Sequence, residues 1–205
     1  MLLSTESPYY LKLHWQGPFA WPGIGSKDLP DLIDDQQIAA RCGIYLWTVK
    51  HTCGYLIYTA GITRRPFGKR FQEHTRAYRS GVYTVFESDS LKNGIRKKVW
   101  PGFWFKKRTL EMQCVYEARA EEIRTAVQDL LITYRIFVAP LPPTERLMER
   151  IEAALMNNLY TADGPASAIP DRGMALAPRR HNEPLIRVQS LSPVILHGLP
   201  LEFDA

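Results

Sequence analysis

Residues 43–74, GIYLWTVKHTCGYLIYTAGITRRPFGKRFQEH, decide how the chain folds. Ile44 to Val49 is a β-branched and aromatic run, Lys50 to Gly54 is polar and ends in glycine, and Tyr55 to Thr59 is a second short apolar run. Two such runs around a glycine-containing turn predict a β-hairpin. Alternation puts Tyr45, Trp47 and Val49 on one face and Ile44, Leu46 and Thr48 on the other, so the pattern alone does not choose an inner face. Pro66 then fixes φ at a helix start, and Gly81 stands where a helix C-cap belongs. Phe67, Phe71, Thr75 and Tyr78 recur at helical spacing as a core stripe. Arg70 and His74, four apart and one step off that stripe, share a face at the boundary of core and surface.

Outward from this unit, residues 81–113 have weak periodicity and read as an insertion. Residues 114–160 return to regular structure. Tyr116, Ile123, Val127, Leu130 and Leu131 predict one helix of about four turns. Arg135 to Ala139 predicts a strand, and a further helix starts near Thr144 with Leu147, Ile151, Ala154, Leu155 and Leu159 as its apolar face. Glu145, Glu149 and Glu152 fall on an adjacent face. Residues 1–40 read as an N-terminal extension: a short edge strand at 10–15, a loop from Gly17 to Gly25, and a short helix ending near Ala40, capped by Asp28 or Asp31. Residues 161–205, rich in proline, read as a wrapping extension with short strands at 185–189 and 194–197.

The 205 residues fit one domain with extensions, and 45% apolar content allows a full core. No apolar run reaches membrane-spanning length, and the N-terminus lacks the pattern of a secretory leader. Three cysteines, Cys42, Cys53 and Cys114, are odd in number and dispersed, so buried, reduced thiols and a cytoplasmic protein are expected. The net charge of +5 is unevenly spread. Residues 64–108 hold thirteen Lys and Arg against three acids (Glu73, Glu87, Asp89), while the remainder is net acidic. A basic segment interleaved with aromatics in an acidic chain points to a polyanionic partner. There is no Walker loop, dinucleotide-binding glycine motif or zinc-type Cys/His cluster.

The opening stretch resembles the GIY-YIG endonuclease family. Gly43-Ile44-Tyr45 matches its first motif. Tyr58-Thr59-Ala60-Gly61 is similar to the second, but its glycine follows the tyrosine by three positions where the family has two. Either a one-residue bulge absorbs the difference, or Thr59 sits where the tyrosine belongs. The helix carrying Arg70 resembles the family's arginine helix, and the Arg70–His74 pair resembles its restriction-enzyme branch.

The resemblance implies an α+β fold: a small antiparallel three-stranded sheet with flanking helices over residues 41–160, interrupted by an insertion at 82–113. It implies metal-dependent hydrolysis of double-stranded DNA, with Tyr45, Tyr58, Arg70, His74 and Glu152 as catalytic residues and Mg²⁺ or Mn²⁺ held by Glu152. Glu149 and Glu145 are rivals for that role, and Asn182 is a candidate for the asparagine that follows the family's glutamate helix. Without the resemblance, the three glutamates read as a charged helix face beside Arg146 and Arg150. Arg70 would offer a fork of donors to phosphate oxygens. Tyr45 is the candidate general base. Its ordinary pKa of about 10 requires either a cation that lowers it or a neighbour that takes its proton. Arg64, Arg65, Lys69, Arg96, Lys97, Lys98, Lys106, Lys107 and Arg108 are the expected nucleic-acid contacts, with Arg96 or Arg108 reading a guanine edge. A repair or structure-specific nuclease, a non-catalytic nucleic-acid-binding protein on the same scaffold, and an RNA substrate are the alternatives. The oligomeric state is open, with a homodimer among the options.

The insertion is expected to carry target recognition, because catalytic contacts to one phosphate do not read sequence. Replacing Lys97, Lys98, Lys106 and Lys107 together with alanine should weaken binding to every duplex sequence. It should also flatten the salt dependence by roughly one unit of slope per lost phosphate contact, measured by anisotropy across a salt series. Unchanged affinity and slope would move recognition to the terminal extensions.

Overall fold

Ile44 and Leu46 face one way and Tyr45, Trp47 and Val49 the other, and all five are buried. A strand covered on both faces needs material above and below it, and that requirement sets the architecture. The computed structural model describes residues 9–26, 28–104, 108–144 and 146–205. In chain order these form β1 (Tyr9–His14), β2 (Gln16–Ala20), α1 (Gln36–Ala39), β3 (Gly43–His51), β4 (Gly54–Thr63), α2 (Phe67–Arg79), β5 (Val85–Phe86), α3 (Ser88–Lys92) and β6 (Lys98–Trp100). They continue with α4 (Leu110–Ala118), α5 (Ala120–Thr133), β7 (Tyr134–Pro140), α6 (Leu147–Thr161), α7 (Pro165–Ala168), β8 (Ile186–Leu191), β9 (Ile195–His197) and β10 (Glu202–Asp204).

The fold is α+β, as expected, but the central sheet has five strands rather than three. Its order is β2-β7-β3-β4-β9. The inner trio β7-β3-β4 is antiparallel. The terminal extensions supply the outer strands: β2 pairs antiparallel with β7, and β9 runs parallel to β4. Gly17 to Ala20 is therefore strand, not loop. Its Gly-Pro pair falls at a register irregularity on the sheet edge, where a missing donor is tolerated. β1 and β8 form a second sheet with β10, so the two extensions pair with each other.

On one face of the central sheet, Phe67, Phe71 and Tyr78 of α2 pack with Ile123, Val127, Leu130 and Leu131 of α5 against Tyr45, Trp47 and Val49. On the other, Met148, Ile151 and Leu155 of α6 pack with Val188 and Phe203 of the second sheet against Ile44, Leu46 and Ile57. Each fully buried ring or branched chain contributes about 1.5–3 kcal/mol of transfer free energy.

Several local expectations change. α1 is capped by Asp35, whose side chain accepts from the Ile38 N–H at 3.1 Å. The single helix expected over 116–131 is two, broken at Arg119, where φ and ψ leave helical values (−113°, 16°). Cys53 and Cys114 are exposed and Cys42 is half-buried, all free; the thiols are not core residues. The insertion's apolar residues pack into the body of the fold. Phe86, Leu91 and Trp100 are fully buried, and Trp100 and Phe103 meet edge-on at 5.1 Å. No described helix is long and apolar enough to cross a membrane. Glu145, Lys106 and Lys107 lie outside the described residues.

The β3–β4 register carries one irregularity. Tyr45 pairs with Gly61, Leu46 with Ala60 and Trp47 with Thr59, after which Thr48 pairs with Ile57. Tyr58 is the extra residue of a β-bulge. Opposite Gly61, the Tyr45 ring crosses the neighbouring strand so closely that a Cβ there would lie 2.4 Å from its ring and hydroxyl. Gly61→Ala should thus force the Tyr45 ring out of place and cost about 1–3 kcal/mol, the scale of overpacking. Urea unfolding measures this; a variant as stable as the parent would mean that the ring moves aside freely.

Candidate active site at the open edge of the central sheet

β9 covers only Gly54 to Leu56 of β4. Beyond Leu56, no described strand pairs with the outer edge of β4, and there a cleft of about 360 Å³ opens. An edge is where groups from both faces of a sheet can meet. Tyr45, Arg70 and His74 arrive from the α2 side and Glu152 from α6 on the other. Tyr58 reaches the cleft through the bulge, so all five expected catalytic residues line one space.

The Tyr45 hydroxyl lies 2.8 Å from His74 Nε2, and His74 Nδ1 lies 3.0 Å from the Tyr83 hydroxyl. Burial pushes the Tyr45 phenol up to about 12, against the opposing pull of the Arg70 guanidinium beside it. Tyr45 is therefore a proton-bearing phenol at neutral pH; the neighbouring cation does not lower it as a standing base would require. Burial, with Arg70 and Arg65 nearby, holds His74 well below the usual imidazole range. A neutral imidazole has one donor and one acceptor nitrogen. Arg70 can only donate to the Tyr45 oxygen. That assigns the Tyr45 proton to His74 Nε2 and leaves His74 Nδ1–H donating to Tyr83.

Glu152 is pushed up to about 7, chiefly by burial and then by Glu149, while the Ile62 backbone N–H and Arg70 pull it down. Glu149 is paired with Arg64, and its Oε2 is buried without a hydrogen-bond partner. The two carboxylates stand one helical turn apart on α6. Among the described residues, no three His, Cys, Asp or Glu side chains gather into a metal cluster. Arg70 pairs with Glu73 at 3.3 Å and keeps a buried Nε with no hydrogen-bond partner. Tyr58 stays a phenol, raised by burial and by its neighbours Tyr134 and Asp171.

The expected nucleic-acid contacts divide. Arg64 and Arg65 are exposed beside the cleft, paired with Glu149 and with Glu73 respectively, and Lys69 is exposed on α2. Lys97 is exposed and 2.8 Å from Glu87, Lys98 is exposed, and Arg108 lies over the Phe103 ring at 5.0 Å. Arg96 does not point outward. Its guanidinium lies 5.0 Å over Phe86 and donates to the Pro170 carbonyl at 2.9 Å, pinning the segment after α7. Asn182 is exposed in a turn and does not line the cleft. Asp171, Gly173 and Met174 do. Asp171 is brought in by its own backbone N–H, which donates to the Tyr58 carbonyl at 2.8 Å. Tyr83 and Asp171 carry no sequence signal for a place in the cleft; Trp47 shares the Tyr45 face by alternation, and Trp104 belongs to the aromatics interleaved with the basic segment.

Against known proteins, the chain matches no protein-family model, no curated protein and no solved structure.

The Glu152 shift has a consequence for stability. Its folded pKa (about 7) lies above the unfolded carboxylate value of about 4.3. The folded state therefore holds the proton more tightly, and stability falls as pH rises from about 4.3 to about 7, then levels off. Glu152→Gln removes this dependence. Its melting temperature should exceed the parent's at pH 8, and the two should converge near pH 4.5. An equal difference at both pH values would mean that the carboxylate ionises freely in the fold.

Proposed function

We propose that the protein is a metal-dependent endonuclease that hydrolyses DNA phosphodiesters on a GIY-YIG-like core. The observation that carries this reading is the convergence of Tyr45, Tyr58, Arg70, His74 and Glu152 on one cleft. The inner antiparallel trio β7-β3-β4, with α2 and α6 on opposite faces, supports such a core within the larger sheet. The bulge supports taking Tyr58 to Gly61 as the second motif: the extra residue is absorbed, Tyr58 keeps a place on the Tyr45 side, and Gly61 lies under the Tyr45 ring. The Arg70–His74 pair and the basic flank favour a restriction-like enzyme acting on duplex DNA.

In this reading the Arg70 fork grips the non-bridging oxygens of the scissile phosphate. Tyr45 takes a proton from the attacking water as it passes its own to His74 Nε2, 2.8 Å away. With His74 Nδ1–H donating to the Tyr83 hydroxyl at 3.0 Å, Nε2 is left as the acceptor for that proton. The phosphate's charge offsets Arg70 and Arg65, the two cations that disfavour an imidazolium at His74. Glu152, with the unpartnered oxygen of Glu149, offers hard oxygen donors. Such a set suits Mg²⁺ or Mn²⁺, which bind through one or two carboxylates and keep several waters. When bound, the ion would offset charge on the phosphate and stabilise the leaving oxygen.

The phenol of Tyr45, held at about 12, favours one second reading: a nucleic-acid-binding protein on the same scaffold without turnover. Plasmid DNA with Mg²⁺, then with EDTA, separates the two. The endonuclease should nick or linearise plasmid only with the metal. Cleavage should rise with pH as Glu152 ionises near 7. Tyr45→Phe should slow it by about 10²-fold or more, and Arg70→Lys should also fail, for want of the fork. Glu152→Ala should abolish cutting while binding persists. DNA binding without metal-dependent cutting would leave the scaffold reading, and a fully active Glu152→Ala would sink the mechanism.

A further inference from the structure

The groups assigned to the phosphate make up only part of the cleft's lining. Its lining also includes Tyr58, Trp47 and Thr84, which carry no charge for a phosphate and, in the two rings, apolar surface it does not use. Trp47 is 5 % exposed, and its indole N–H has no hydrogen-bond partner. The other buried indoles are all satisfied: Trp15 donates to Ser190, Trp21 to Thr75 and Trp100 to the Gly81 carbonyl. A buried donor left unpaired in a cleft wall is expensive unless a ligand completes it. Trp104 is 70 % exposed yet lines the same cleft. Its backbone N–H is anchored to the Val82 carbonyl at 2.9 Å, which holds it at the rim. Asp171, whose Oδ1 accepts from the Gly173 N–H at 3.1 Å and lies 4.0 Å from the Arg96 guanidinium, lines the same cleft and keeps its second carboxylate oxygen for a ligand.

We propose that this cleft receives one unstacked nucleobase, adjacent to the phosphate bound at Arg70. The reading rests on nucleic acid being the ligand, as argued above, and adds that the bound strand is open at that nucleotide. The base stacks on Trp104, an acceptor on its edge takes the Trp47 N–H, and an amino group meets Asp171. Every base has a π-face for the rim ring, so the site demands an unpaired base before it demands a particular one. A duplex meets this by turning one nucleotide out of the stack; a single strand or a gap supplies it directly.

The test compares short fluorescently labelled oligodeoxynucleotides, single-stranded and duplex, with the same strands carrying one central abasic nucleotide. Affinity is read by anisotropy without metal and cleavage separately with Mg²⁺. The full chain should bind the intact single strand about tenfold more tightly than its abasic counterpart, the scale of one lost base–aromatic stack. Trp104→Ala, on an exposed side chain that leaves the core intact, should erase that ratio. Trp47→Phe should reduce it, and the Trp47 indole N–H resonance should shift with the intact strand only. A preference in the duplex as well would show that the protein extrudes the base. An intact-to-abasic ratio of one in both forms overturns the proposal, even if plasmid is cut. A clear ratio with no cutting keeps the base site and removes the nuclease reading instead.

Discussion

The constraint on which the cleft depends is the crossing of the Tyr45 ring over Gly61. With no Cβ at position 61, the ring can lie across the neighbouring strand and hold its hydroxyl at the sheet edge, against His74. The register that puts Gly61 opposite Tyr45 exists because the strand absorbs Tyr58 as an extra residue. Bulge, glycine and tyrosine are one device. Together they bring two consecutive β4 side chains, Tyr58 and Thr59, to the cleft side, on the stretch beyond Leu56 where no described strand pairs with the outer edge of β4. The cleft depends on that edge being free of a further described strand, since there α2 and α6, on opposite faces, bring their side chains together.

Electrostatics in the cleft follow from burial more than from partnership. Tyr45 and Tyr58 are pushed up, His74 is pushed down and Glu152 is raised to about 7, with desolvation the largest cause each time. Burial therefore favours the neutral phenols and imidazole beside the Arg70 guanidinium, which Glu73 partly offsets.

The extensions are structural parts of the same body. Arg150, almost fully buried on α6, donates to the Pro184 and Ala205 carbonyls, and Arg146 pairs with Glu183 at 2.5 Å. Arg96 secures the segment around Pro170 from the other side. Three guanidiniums that read in the sequence as surface charge instead tie residues 170–205 to the domain. Asp171, a cleft residue, reaches its place through that tethering.

The hairpin, the arginine helix and its core stripe, and the later glutamate helix were legible because each is written in local periodicity and in turn or cap residues at short range. The strands at 186–191 and 195–197 were legible for the same reason. The second strand of the extension was not: a Gly-Pro pair reads as a loop until a partner strand tolerates it at an edge. Arg96 gave no sign of facing inward, since a lone arginine looks the same in sequence whether it meets solvent or a carbonyl 74 residues away. The ambiguity at Tyr58 could not be resolved from spacing, because a bulge is a property of two paired strands. The sequence by itself determined which segments become helices and strands and which residue types stand at the motif positions. Only the tertiary structure decided that Tyr45, Tyr58, Arg70, His74 and Glu152 share one cleft and that desolvation governs their protons, because register, edge exposure and burial arise only when distant strands pair.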